Sequence, residues 1–299
     1  MTSAWINGQL VDENTASISI RDTGLLHAAG VFTTMRAVGG RVIRLQLHLL
    51  RLRGSCQTFA IPLPYSDGQL SAAIEQLLEH EQLPAARLRL TVTHGTPGAD
   101  ATHATPTQGS VFLTATAYQP YARELYTTGM SVVLSDQKLN PYDIQAGHKT
   151  LNYLSRLTGL QQARHRGADE ALWENVNGLI ESGSISNVFL VQDGRLLTPP
   201  TRGDLSHDDV HAAMPCRASA VLPGITRQLV VELAERLGIT VDRLAVDRGK
   251  LMQADECFLT NSLMGIMPVC QVEQSPLSRG KPGELTAQLM RMYEKAIQR

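Results

Sequence analysis

The chain opens on alternation. "AWINGQLV" flanks Asn7-Gly8 with apolar residues, which predicts a hairpin closed by a two-residue turn. "VFTTMRAVGGRVIRL" repeats the pattern around Gly39-Gly40. Apolar spacings of three and four predict helices across "HLLRLRGSCQTFA" and "GQLSAAIEQLLEHEQL", and period two returns in "ARLRLTVTHG" and "SVFLTATAY". Residues 1–118 therefore read as a small α+β domain, mostly antiparallel. "YQPYARELY", with Pro120 inside it, predicts an interdomain linker at 119–124.

A larger domain is expected over 125–299. "MSVVLSD" reads as a strand. From Lys149 onward Leu151, Leu154, Leu157 and Leu160 recur every three residues, predicting a helix that starts at the lysine and stops at Gly167. "EALWEN", "GLIES" and "NVFLVQDGRLLTP" follow as strands, the last turning at Asp193-Gly194. Residues 201–220 are polar with little periodicity. "LPGITRQLVVELAERLGI" is a helix with Leu229, Leu233 and Leu237 on one face. "ECFLTNSLMGIMPVCQVE" gives two strands around a polar break, and "GELTAQLMRMYEKAIQ" is a closing amphipathic helix.

Composition narrows the function classes. The 299 residues are 43% hydrophobic and 18% charged, with a net charge of −1, as in a soluble globular protein. No basic run exceeds two residues, which argues against nucleic acid or an anionic membrane as partner. No apolar stretch is long enough to span a bilayer. "MTSAWINGQL" lacks the basic flank and apolar core of a signal peptide. Cys56, Cys216, Cys257 and Cys270 are widely spaced, with no Cys-x-x-Cys pair. They read as reduced thiols of a cytoplasmic protein, and neither a disulfide framework nor a metal site is expected.

Phosphate-loop, dinucleotide, nucleophile-elbow and zinc-protease motifs are absent. Three local features can carry chemistry. "PGITR" puts the backbone N–H groups of Ile225 and Thr226 at a helix start, where an anion is favoured; an ordinary start capped by threonine is the alternative. "TNSLMG" offers Ser262 and backbone N–H groups to an anion, or is a tight turn. Lys149 is one of only five lysines. A cation at a helix start opposes the dipole, which would lower the amine pKa toward what Schiff-base chemistry needs. The other reading is a solvated side chain.

Seven stretches in one order resemble the class IV pyridoxal-phosphate (PLP) enzymes: "AGVFTTMR", "RLQLHLLRL", "HKTLNYL", "GADEAL", "SNVFLVQDGRLLTPP", "VLPGITR" and "FLTNSLMGIMPV". That family holds branched-chain and D-amino-acid aminotransferases, (R)-amine transaminases and aminodeoxychorismate lyase. The resemblance implies a two-domain fold of PLP type IV, α+β, with a larger mixed, barrel-like C-terminal domain and a homodimeric assembly. It implies that Lys149 forms the internal aldimine and moves the proton between Cα and C4′. Arg51 corresponds to the arginine on the cofactor phosphate. Ile225 and Thr226 complete that cup, with Ser262 and Leu263. Leu222 packs on the pyridine ring, and Tyr153 falls near the residue that bonds the phenolate oxygen.

This chain departs from the pattern in three places. The family's glutamate stands five residues before the Asn of "SNVF". Here Glu181 is six before Asn187, and Ser182 holds the minus-five position. Either a bulge at Gly183 absorbs the extra residue and lets Glu181 face the ring nitrogen, or Ser182 takes that place with Glu181 on the opposite face. Next, His94 replaces the usual arginine after "LTVT", and 95–110 hold no Arg or Lys. Arg36, His94 and Arg123 are the remaining candidates for the substrate. Finally, 201–220 is longer than the family's link, either a lid or partner contact, or a solvated insertion. Its His207, His211 and Cys216 do not suggest a metal site.

Three functions are compatible with these residues. The first is a PLP-dependent aminotransferase passing an amino group between an amino acid or amine and a keto acid. The second is aminodeoxychorismate lyase, forming 4-aminobenzoate and pyruvate. The third is a PLP-binding protein with weakened catalysis.

Overall fold

The computed structural model describes residues 2–96, 109–204 and 218–298. The chain divides into two compact units. One comprises Met1–Gln119 with Lys149–Asn152 and Gln298; the other comprises Pro120–His148 and Tyr153–Ile297, together with Arg299.

The first unit is a six-stranded antiparallel sheet with helices on one face. Its elements are β1 (Ser3–Ile6), β2 (Gln9–Asp12), α1 (Thr23–His27), β3 (Gly30–Val38), β4 (Arg41–Val42), α2 (Leu45–Thr58), α3 (Asp67–His80), β5 (Ala85–Thr93) and β6 (Val111–Ala117). The order across the sheet is β2-β1-β6-β5-β3-β4. Asn7 and Gly8 close the first hairpin with φ of 47° and 96°, the left-handed pair that such a turn requires. α3 starts with a reciprocal Ser66–Gln69 capping box. Its buried Leu70, Ile74 and Leu77 join Leu49 and Leu52 of α2 over Val31, Met35, Leu88 and Leu90 of the sheet.

Strand alternation sends the partners of those core residues to the other face. Phe32, Thr34 and Arg36 of β3 therefore share that face. Register places Thr91, Arg89 and Arg87 of β5 directly opposite them.

In the second unit α4 (Arg123–Thr128) rises from the segment around Pro120. It leads to β7 (Met130–Leu139), α5 (Leu154–His165), β8 (Glu170–Asn175), β9 (Ile180–Gly183), β10 (Asn187–Gln192) and β11 (Arg195–Thr198). Then come α6 (Ile225–Arg236), β12 (Val241–Arg243), α7 (Arg248–Gln253), β13 (Glu256–Asn261), β14 (Gly265–Val272), β15 (Ser275–Pro276) and α8 (Glu284–Ile297). The mixed sheet runs β12-β11-β10-β13-β14-β7-β8-β9, with β15 on β14. Met130, Val132, Leu172, Val188, Leu190, Leu259 and Met267 belong to its core. α8 buries Thr286, Leu289, Tyr293 and Ile297, one stripe of a strongly amphipathic helix.

One element differs from its sequence pattern. No helix begins at Lys149. α5 starts at Leu154, and the residues from Lys149 lie extended along the edge of β3. Phe32 N donates to Lys149 O and Leu151 N to Gly30 O, both at 2.9 Å, and Thr150 bridges Val31 antiparallel. An open strand edge has N–H and C=O groups to satisfy, and this segment satisfies them. Gly30 permits the approach, because a Cβ there would meet Leu151 Cδ1 at 2.6 Å. Of the leucine repeat, Leu160 is buried, while Leu154 is 76% and Leu157 53% exposed.

Candidate active site

The first unit holds the lysine. Lys149 is on the Phe32 side of the β3 edge, and its Nζ lies 4.6 Å from the centre of the Phe32 ring. The guanidinium of Arg89 sits 3.6 Å from the same ring, and Arg89 Nε donates to Thr91 Oγ1 at 3.3 Å. Arg36 stacks on Tyr118 at 4.2 Å, and its buried Nε has no hydrogen-bond partner among the described residues. The amine thus stands over a sheet face that carries Arg36, Arg87 and Arg89. The helix-dipole argument for Lys149 does not apply, since the lysine precedes α5 by five residues.

On the opposite face of β3, Arg51 Nη2 of α2 donates to Thr33 Oγ1 at 3.2 Å. Thr33 Oγ1 lies 2.7 Å from His48 Nδ1. The neutral imidazole either accepts the Thr33 hydroxyl proton at Nδ1 or donates to the hydroxyl's second lone pair. Burial above all, then the fields of Arg51 and Lys149, hold His48 well below the ordinary imidazole range. His94 is held by its backbone N–H, which donates to Ala29 O at 2.8 Å. In the second unit, Arg123 is exposed at the start of α4.

Also in the second unit, the extra residue before Asn187 is taken up at Glu181, not at Gly183. Trp173 pairs with Ser182 and the next residue, Glu174, pairs with Ile180, so Glu181 has no counterpart on β8. A bulge re-aims side chains, and here both neighbours are buried: Glu181 is 5% and Ser182 4% exposed. Glu181 Oε1 accepts from Asn175 Nδ2, and Oε2 accepts from Ala220 N at 3.3 Å. Asn175 is aimed by its turn, since its Oδ1 accepts from Asn177 N and Leu179 N. Desolvation pushes the Glu181 carboxyl up; bonds from Asn175 and Ala220 and the field of Arg156 oppose the rise. Ser182 Oγ accepts from Arg156 Nη1 at 2.9 Å.

α6 begins at Ile225 behind the N-cap Gly224, and no side chain caps it. Ile225 and Thr226 are buried. Asn187 Nδ2 donates to Leu222 O at 2.9 Å, tying the helix entry to β10. A Cβ at Gly224 would meet Asn187 Oδ1 at 1.9 Å. Thr260 is the cross-strand partner of Asn187, so both side chains point to the face that carries the α6 entry. Its hydroxyl is buried and has no partner among the described residues. Asn261 Oδ1 accepts from Leu263 N at 2.9 Å, so that N–H is already committed. Tyr153 is the N-cap of α5, and its hydroxyl donates to Ser184 O at 3.4 Å.

An uncapped helix start and an orphaned hydroxyl on one sheet face suit an anion. A buried carboxyl nearby in sequence suits a protonated ring nitrogen. These residues fit pyridoxal phosphate. Sequence reading missed Thr260, Arg89, His48 and Arg156. Thr260 had a signal: it stands two residues before Ser262, at the end of the strand that leads into the polar break. Arg89 had one as well, on the strand itself, where only the loop after it drew attention. His207, His211 and Cys216 fall outside the described residues. Among the described residues, no group of three or more His, Cys, Asp or Glu is placed to hold a metal, and no helix is long and apolar enough to cross a membrane.

The sequence profile of the family "Amino-transferase class IV" matches residues 30–272. The chain belongs to that family. Class IV aminotransferases use pyridoxal phosphate, and the chain is such a transaminase. It is 29% identical over 291 residues to a putative branched-chain-amino-acid aminotransferase of Methanocaldococcus jannaschii, covering 97% of this chain and 94% of that one. The crystal structure of the Escherichia coli branched-chain amino acid aminotransferase superposes with a TM-score of 0.88 at 27% identity, over 98% of this chain and 94% of that one. The T.th. branched-chain aminotransferase, solved with pyridoxamine 5'-phosphate, gives 0.86 at 25% identity, over 100% and 95%. The likeness covers both units, which agrees with the α+β type IV fold implied by the resemblance.

Proposed function

We propose that this class IV aminotransferase acts on α-amino acids and α-keto acids, with Lys149 as its catalytic amine. When bound, pyridoxal phosphate supplies the electron sink for the pair released at the substrate Cα. Lys149 would hold its aldehyde carbon and move the proton at the substrate Cα. Arg51 holds a phosphoryl oxygen, aimed by Thr33 and His48. Ile225 and Thr226 present backbone N–H groups to the same phosphoryl group, joined by the hydroxyls of Ser262 and Thr260, while Leu222 packs on the ring. Tyr153 hydrogen-bonds the phenolic oxygen. Glu181, displaced by the bulge, accepts from the ring nitrogen, and Ser182 is engaged by Arg156.

The observation that carries the substrate class is the arginine-bearing sheet face beneath Lys149. Arg36, with its buried unpaired Nε, and Arg89 are suited to a carboxylate. An amine without a carboxylate brings no anion to the buried Arg36 Nε. We place the enzyme in a reducing, cytoplasmic setting, supported by the free, buried Cys56, Cys257 and Cys270. We also propose a homodimer.

The test uses the PLP-loaded enzyme and a panel of L- and D-amino acids, 1-phenylethylamine and 4-amino-4-deoxychorismate. Amino acids are expected to bleach the visible band through the half-reaction, and Lys149→Ala to slow it roughly 10²–10⁴-fold. A phenylethylamine rate equal to that of the best amino acid would refute the carboxylate reading. Pyruvate release from aminodeoxychorismate without bleaching by amino acids would make the chain a lyase.

A further inference from the structure

Arg156 occupies the first turn of α5, three residues after Tyr153, and reaches β9 beside the bulge. Its Nη1 donates to Ser182 Oγ and to Gly183 O, both at 2.9 Å. These acceptors belong to the two residues that follow Glu181. The guanidinium also lies 5.1 Å from the Trp173 ring, the residue opposite Ser182 on β8. Arg156 is half-buried as a residue, yet its charged end is desolvated enough to pull its pKa down, with Glu170 and Glu181 among the groups that hold it up. A desolvated guanidinium is costly unless its field and its donors are used. Here Nη1 donates to the two residues after the bulge, and the field of the guanidinium reaches Glu181 as well as Glu170. Glu170, the other buried carboxyl whose field reaches Arg156, takes backbone N–H groups of Ala171 and Ser184, so it has partners of its own.

We propose that Arg156 is a positioning residue for Glu181: it clamps the two residues after the bulge and keeps the Glu181 carboxylate anionic, so that the carboxylate can accept from a protonated pyridine nitrogen. The inference rests on the assignment of Glu181 to the ring nitrogen made above. A bulge frees ladder groups and can relax by slipping one residue. A slip would exchange Glu181 for Ser182, which cannot keep the ring protonated. The clamp on Ser182 Oγ and Gly183 O opposes that exchange, and the charge opposes neutralisation of the acid.

The experiment reads the ring nitrogen directly, by 15N NMR of enzyme loaded with pyridine-15N-labelled pyridoxal phosphate, alongside the half-reaction rate. Arg156→Gln is expected to retain the cofactor, to move the resonance toward that of unprotonated pyridine, and to slow the half-reaction about tenfold, the equivalent of one pKa unit. Arg156→Lys, which keeps the charge, is expected to recover most of both. An unmoved resonance in R156Q, with a moved one in Glu181→Gln, overturns the role of Arg156 and leaves that of Glu181 standing. An unmoved resonance in E181Q overturns the Glu181 assignment, and this inference with it. Should R156Q fail to accumulate, Ser182→Ala removes one clamp bond while sparing the charge. A smaller shift in the same direction then supports the proposal, and none refutes it.

Discussion

At the scale of the residue, His48 shows how a buried group is tuned without taking part in chemistry. It is 2% exposed, and the charged groups whose fields reach it are Arg51 and Lys149, both cations. Thr33 Oγ1 lies within hydrogen-bond reach of Nδ1 and also accepts from Arg51 Nη2. The folded pKa is therefore depressed, while the unfolded imidazole titrates near its ordinary value of about 6.5. Between the two values the unfolded chain binds more protons, so His48 contributes stability above about pH 6.5 that is lost as pH falls. Glutamine keeps an acceptor for Thr33 and does not titrate. Melting curves at pH 7.5 and 5.5 are expected to show a larger loss for the wild type than for His48→Gln; equal losses would refute the argument.

At the scale of the element, the entry to α6 is set by contact. Gly224 has φ −72° and ψ 133°, angles open to alanine, so the requirement for glycine is steric. A Cβ there would overlap Asn187 Oδ1 at 1.9 Å and Cγ at 3.1 Å. Gly224→Ala is expected to cost about 1–3 kcal/mol in chemical denaturation and to weaken cofactor binding by displacing the helix start. In an Asn187→Ala background the severe overlap is gone and Arg227 Cβ remains close at 3.2 Å, so the added cost should shrink, the coupling expected of residues in contact. Additive costs would show that the clash is relieved elsewhere.

The same scale explains what the sequence pattern revealed. The Asn7-Gly8 and Asp193-Gly194 hairpins were legible because their turn chemistry is local; Asp193 and Gly194 do take φ of 50° and 73°. α6 and α8 were legible from their apolar stripes. The start of α5 was not, because the partner of Thr150 is Val31, far back in the chain, and nothing local announces an open strand edge. The extra residue before Asn187 could be counted, but its place depends on the register against Trp173 and Glu174. Arg156 was hidden for a similar reason: its contacts with Ser182 and Gly183 are set by how α5 meets β9, which spacing along the chain does not encode.

At the scale of the whole molecule, the first unit presents apolar surface that its own fold leaves uncovered. Ile20 is 80%, Leu25 67% and Leu26 56% exposed, and α1 buries none of its residues. Single exposed apolar residues are ordinary, but Leu25 and Leu26 on α1, with Ile20 just before it, put three within seven residues. α1 is held at its base, where Asp22 accepts from Gly24 N, Thr93 Oγ1 and Ser110 Oγ. That anchoring presents the leucines on a fixed backbone, which lowers the ordering cost of covering them. A self-complementary contact through this patch is the simplest closed assembly. Light scattering should therefore give about twice the chain mass of 32.6 kDa. Leu25→Asp with Leu26→Asp places charges in that contact and is expected to give monomers of unchanged secondary structure. A wild type that is monomeric at micromolar concentration, or a double variant that stays dimeric, would remove α1 from the interface.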